Sequence, residues 1–190
     1  MISSNLFQAS LFASSSLPRN LTETDQRFTP PAELEKVRKA LGGVIGLDPC
    51  ANPGKTVPAR HHITEAEDCF TSNWGASLFA ENEEDRTVFM NPPYSVAAPF
   101  IQELCKYLDG GQVRSAITLT LAGLLSNKST QNLVRRYGVA ICHPFGRINF
   151  VNGGKSNNRD VVYILWGERS DFGLFCQHMT GLVLKIRQDD

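Results

Sequence analysis

The sequence predicts an α/β fold, a mainly parallel sheet closed by one or more antiparallel strands, and three observations lead there. Apolar runs of strand length alternate with helix-period segments from residue 31 to residue 142, the pattern of parallel strands joined by crossover helices. After Val139 the runs follow one another without intervening helices, which calls for antiparallel closing strands. At 190 residues and 42% apolar content, the chain supplies one core of ordinary size rather than two.

Residues 1–25 are rich in Ser, Asn and Thr with no helical or strand period, and read as a loosely ordered arm ahead of a single domain over 26–190. Thr29-Pro30-Pro31 is a helix-start signal, with the threonine hydroxyl available as an N-cap and proline at the first positions. Leu34, Val37 and Leu41 then recur at helical spacing until Gly42-Gly43 stops the helix. Val44 to Leu47 is a buried strand that delivers a carboxylate, Asp48-Pro49, at its C-terminal end. Residues 52–85 read as irregular, with one strand around His61-His62-Ile63.

Thr87 to Met90 forms the next buried strand and ends in Asn91-Pro92-Pro93-Tyr94. Ser95 can cap a helix whose apolar face is Ala97, Ile101, Leu104, Cys105 and Leu108, ended by Gly110-Gly111. A long strand, Ser115 to Leu121, precedes a polar, basic helix from about Ser126 to Tyr137. Further strands are expected at Val139 to Cys142, Ile148 to Val151, Val161 to Trp166 and Leu182 to Ile186. The segment VNGGKSNNRD between two of them suggests a hairpin with an exposed loop.

Composition narrows the function classes. No run of eighteen apolar residues exists, and MISSNLFQASLFASSS lacks the basic start and sustained apolar stretch of a secretory signal. Five scattered cysteines, an odd number, point to reduced thiols in a cytoplasm. Nineteen basic and nineteen acidic residues cancel, yet their distribution is uneven. Gly42 to Gly111 holds ten acidic and four basic residues, whereas Gln112 to Gly167 holds seven basic residues against Asp160 alone. A nucleic-acid partner is therefore compatible with the net zero.

Asn91-Pro92-Pro93-Tyr94 carries the chemistry. In parallel sheets ligands bind beyond the carboxyl ends of the strands, where both this segment and Asp48-Pro49 fall. The two prolines stiffen the turn and restrict the residue before each of them. The Asn91 amide and the Pro92 carbonyl oxygen can then accept both hydrogens of an NH2 group on a planar ring. Those bonds shift electron density toward the nitrogen lone pair. Tyr94 offers an aromatic face on which a flipped base can stack.

At these residues the chain resembles the S-adenosylmethionine-dependent amino-methyltransferases, and more specifically the phage-type DNA N6-adenine methyltransferases. The resemblance runs from about Phe28 to Gly167. Its blocks are Phe28-Thr29-Pro30-Pro31, Gly46-Leu47-Asp48-Pro49-Cys50-Ala51-Asn52, Glu67-Asp68-Cys69-Phe70 with Trp74, Asn91 to Tyr94, and Gly146-Arg147-Ile148-Asn149-Phe150. It implies a Rossmann-like methyltransferase fold and S-adenosyl-L-methionine as cofactor. Thr29, Pro30, Asp48, Pro49, Cys50 and Ala51 would border the cofactor, with Asp68 accepting from its adenine amine. Asn91, Pro92, Pro93 and Tyr94 would be catalytic, acting on a DNA adenine swung out of the stack, whose N6 attacks the methyl group in line. The G-x-G turn common after the first strand in methyltransferases is absent, with Asp48-Pro49-Cys50 in its place. No block large enough for an elaborate target-recognition domain is visible, which suggests a short or relaxed target.

Arg147 and the loop residues Lys155 and Arg159 are expected to reach a phosphate backbone. Arg135-Arg136 could do the same, or simply complement a helix dipole. His61, His62, Cys50 and Cys69 lack zinc-ligand spacing, so no metal is expected. The resemblance places the protein in a bacterial or phage-infected host cytoplasm, with a role in DNA methylation such as restriction-modification. Two rival readings stand beside it: the same chemistry on RNA guanine or a protein glutamine amide, and a non-catalytic DNA-binding module. Sequence leaves oligomeric state open.

Overall fold

A computed structural model of the protein describes residues 28–78, 82–151 and 160–187. The expected arm over residues 1–25, and Lys155 and Arg159, lie outside the described residues. Among the described residues, α-helices and strands follow one another along the chain as α1 (Pro31–Ala40), β1 (Ile45–Ala51), β2 (Ala59–Thr64), α2 (Trp74–Leu78), β3 (Thr87–Met90), α3 (Ala97–Asp109), β4 (Ser115–Leu121), α4 (Lys128–Tyr137), β5 (Gly138–Pro144), β6 (Val161–Trp166), α5 (Phe172–His178) and β7 (Gly181–Lys185).

These strands join one sheet in the order β2-β1-β3-β4-β6-β5-β7. Strands β2, β1, β3 and β4 are mutually parallel. β6 then runs antiparallel between β4 and β5, and β7 pairs antiparallel with β5 at the sheet edge. The fold is thus the α/β, Rossmann-like arrangement, with a parallel body and antiparallel closing strands. Because helices cover both faces, the central strands are apolar on both sides rather than alternating. β3 and β6 are buried along their whole length. On one face Leu47, Val88, Met90, Ala116 and Ile164 pack with Trp74, Leu104 and Leu133; on the other Phe89, Ile117, Leu119 and Leu165 pack with Leu34, Val37 and Phe175.

Close approach decides one glycine. Gly46 sits where a Cβ would lie 2.3 Å from the Asp85 carbonyl oxygen, so no larger residue fits. Its amide donates to Thr87 Oγ1 at 3.0 Å, and that hydroxyl donates to the Val44 carbonyl at 2.8 Å. These bonds clamp β1 against the start of β3, two residues before Asp48.

Several local expectations are corrected. Thr29 does not cap α1: the N-cap is Pro30, whose ring has no group to cap with, and the Thr29 hydroxyl accepts from Asn91 instead. Ser95 does not cap α3 either, since a single 3-10 turn, Tyr94–Val96, leads into the helix. Residues 148–151 form no strand and no hairpin with β6. Val151 makes only an isolated bridge to Phe28, because β6 is already paired on both sides by β4 and β5. The stretch read as irregular contains α2, and α5 follows the last central strand; both are too short for periodicity to reveal.

Candidate active site

The chain leaves β1 toward the sheet edge to make β2, then returns to the other side of β1 as β3. The reversal opens a crevice at the carboxyl ends of β1 and β3, the place where open α/β sheets bind ligands. β1 and β3 are in parallel register at Leu47↔Val88, so both proline-containing segments lie beside this crevice.

Asn91 follows β3 directly. Its Nδ2 donates to Thr29 Oγ1 at 3.2 Å, across 62 positions of sequence. Thr29 is 5% exposed and precedes α1, whose first turn is closed by the amides of Glu33 and Leu34 donating to the Pro30 carbonyl. On its other side Phe28 exchanges two backbone bonds with Val151, at 3.2 and 3.0 Å. Next to Val151, Phe150 meets Tyr94 edge to face, with ring centroids 6.3 Å apart and planes at 79°. Segments 28–31, 91–94 and 146–151 are thereby stitched together. Below them the Tyr163 hydroxyl donates to Glu33 Oε2 at 2.9 Å, while Lys36 pairs with Glu33 Oε1 at 2.7 Å. Burial and the Glu33 carboxylate push the Tyr163 phenol far up, which keeps it a donor.

Asp48 lies within β1 rather than after it, and is only 2% exposed. Its Oδ1 accepts from the Cys50 amide at 3.0 Å. Burial nevertheless dominates and pushes the carboxyl from 3.8 up to about 7. Desolvation likewise raises Cys50 well above its usual range, helped by the neighbouring Cys69 and Asp48. Pro49 is buried, Ala51 is buried, and Cys50 is partly exposed.

Asp68 stands in the turn after β2, with φ of 53° and its Oδ1 accepting from the Phe70 amide at 3.0 Å. The left-handed conformation is one that aspartate tolerates better than most residues. Trp74 anchors this loop: its indole donates to the Cys69 carbonyl at 2.8 Å and stacks on Tyr107 at 4.7 Å. Cys69 shares a buried cluster with Leu47 of β1, and Cys50 packs against it, so the loop borders β1.

Arg147 is exposed on the segment that rises from the end of β5 and ends at Phe150, on the crevice side. Arg135 and Arg136 are not brought there. They lie in the last turn of α4, just before the amino end of β5, at the end of the strands opposite the crevice. Arg136 is occupied by Asp109 at 2.9 Å and lies over the Tyr137 ring. Sequence reasoning missed Glu33 and Tyr163, whose contact spans 130 positions and leaves no local trace. Among the described residues no group of three potential metal ligands occurs, and no helix is long and apolar enough to cross a membrane.

The family model described as DNA N-6-adenine-methyltransferase (Dam) matches residues 16–165. A solved structure from Pyrococcus horikoshii, described as a candidate RNA methyltransferase, is similar at 17% identity and a TM-score of 0.42, covering 84% of this chain and 94% of that one. No curated protein matches the chain.

Proposed function

The chain belongs to the DNA N-6-adenine-methyltransferase (Dam) family, and from that membership we propose that it methylates the N6 amine of a flipped adenine in DNA, using S-adenosyl-L-methionine. The observation that carries the proposal is the meeting of Thr29 with Asn91 at the crevice between β1 and β3. Two segments far apart in sequence, each resembling a block of this family, share one hydrogen bond there.

The residues fit the cofactor. A buried carboxylate whose pKa is raised mainly by desolvation gains from a cationic neighbour, and S-adenosylmethionine carries both an ammonium and a sulfonium group. Asp48 would hold that positive end, with Thr29, Pro30, Pro49, Cys50 and Ala51 as walls and Asp68 at the adenine end. Bound there, the cofactor supplies an activated methyl group.

The chain's own work is positioning and polarisation. Asn91 and the Pro92 carbonyl accept the two hydrogens of the target amine, which aims its lone pair and stabilises the positive charge that grows on nitrogen. Pro93 stiffens the turn between them and Tyr94. The Tyr94 ring, braced by Phe150, stacks on the base and replaces the lost stacking of the duplex. Arg147, with Lys155 and Arg159, would contact phosphates. No covalent intermediate on the protein and no metal is part of this assignment. We assign the catalytic domain to residues 26–190 and the place of work to the cytoplasm of a bacterium or phage-infected host, in restriction-modification or a related role.

Incubation with DNA and methyl-labelled S-adenosylmethionine, followed by nucleoside analysis, tests the proposal. Label is expected in N6-methyldeoxyadenosine. Label confined to RNA or protein would overturn the substrate, and no label with any acceptor would overturn the catalytic reading.

A further inference from the structure

We propose that Thr29 is a positioning residue: it holds the Asn91 amide in its working orientation and acts on the reaction through Asn91. The inference rests on the function proposed above and deepens it, giving Thr29, besides its place in the wall of the cofactor site, the support of the catalytic amide.

Three observations converge on it. Thr29 stands one position before the N-cap of α1, Pro30, and its hydroxyl meets Asn91 rather than the helix. It lies 3.2 Å from Asn91 Nδ2 and accepts from it, which turns Asn91 Oδ1 away from Thr29. An amide can polarise an amine only through its oxygen, because its NH2 group would meet the substrate donor to donor. Thr29 itself has little freedom. It is 5% exposed, followed by a proline that restricts its backbone, and pinned from the other side by the Phe28–Val151 bridge. Asn91 is restricted by Pro92 in the same way. The buried Thr29 hydroxyl on a rigid strap therefore helps fix the plane of an amide on a rigid turn.

The strap also reaches the other end of the motif. Val151 follows Phe150, which braces Tyr94, so the 28–29 and 150–151 segments hold both Asn91 and Tyr94. Glu33, three residues into α1, ties the same strap to β6 through Tyr163.

Thr29→Val keeps the shape of the side chain and removes the acceptor, whereas Thr29→Ser keeps the acceptor. The valine variant is expected to lower kcat by roughly 2- to 12-fold, the range that the net worth of one hydrogen bond supplies. Serine should restore kcat. In an Asn91→Ala background, Thr29→Val should have no further effect on kcat. In 15N-labelled protein without cofactor, the Asn91 side-chain amide resonance, assigned by its loss in Asn91→Ala, should shift in the valine variant and return in the serine variant.

An unchanged kcat, a loss confined to cofactor affinity, an equal effect in both Asn91 backgrounds, or failure of serine to rescue would overturn the proposal. Failure of the function itself looks different. Wild-type protein would label no DNA, while the Asn91 resonance would still report whether Thr29 holds the amide.

Discussion

Replacing Asp48 with asparagine separates the stability of the fold from its use. In the free protein burial raises this carboxyl from 3.8 to about 7. A group whose folded-state pKa lies above its unfolded value contributes stability that is complete below the unfolded pKa and is lost as pH rises through the folded one. The wild type should therefore weaken between pH 4 and pH 7 for this reason, and stay level above. About three pKa units at 1.36 kcal/mol each set a ceiling of roughly 4 kcal/mol. The part falling between pH 5 and pH 8 is about 2.5 kcal/mol. The asparagine amide cannot ionise, so the stability of Asp48→Asn relative to wild type should rise by that amount over the interval. For a chain of this length the change corresponds to roughly 5–10 °C in the difference of Tm values. Thermal melts of both proteins from pH 5 to pH 8, without cofactor, measure it directly. Binding should move the opposite way: the variant should lose at least about tenfold in S-adenosylmethionine affinity at pH 7.5. Wild-type affinity should fall toward pH 6, as the carboxyl protonates, and the variant should lack that dependence. Parallel melting profiles for the two proteins would refute the burial argument. Unchanged cofactor affinity in the variant would refute the role given to the carboxylate.

Other outcomes follow from the same geometry. Asn91→Ala should slow methyl transfer by roughly two to three orders of magnitude with cofactor still bound, as loss of an oriented polar group at the reacting centre does; single-turnover rates with labelled cofactor would measure it. Arg147→Glu should weaken DNA binding and flatten its salt dependence by about one to two units of slope, read by fluorescence anisotropy across salt concentrations. Arg136→Glu should leave that slope unchanged, because Arg136 sits with Asp109 at the end of the strands opposite the crevice. Trp74→Phe should cost about 1–3 kcal/mol in denaturant unfolding, because the buried Cys69 carbonyl loses its indole donor.

The legible parts of the molecule were those written in local chemistry. β4, Ser115–Leu121, follows directly from an unbroken apolar and β-branched run, and α1 from proline at its start with leucine and valine at helical spacing. Asn91 to Tyr94 could be placed at a strand end because prolines follow an apolar run; Asp48-Pro49 reads the same way, but β1 continues past its proline to Ala51. Contacts that close across the fold left no such mark. Thr29 reads as a helix cap because capping is what a threonine before Pro-Pro does locally; its bond to Asn91 depends on the order of strands, which no residue near it encodes. Residues 148–151 are apolar enough for a strand, but β6 already has two neighbours, so the segment becomes a strap instead. Arg135 and Arg136 look like a phosphate clamp until the direction of α4 carries them away from the crevice.

Methyl transfer to adenine N6 in DNA, carried out at the crevice between β1 and β3, is the central claim. Nucleoside mass analysis of genomic DNA from cells expressing the wild type or Asn91→Ala tests it most directly. N6-methyldeoxyadenosine above background with the wild type, and a near-complete loss of that excess with the variant, is the predicted result. An equal excess from both proteins, or none from a folded wild type that binds S-adenosylmethionine, would contradict it.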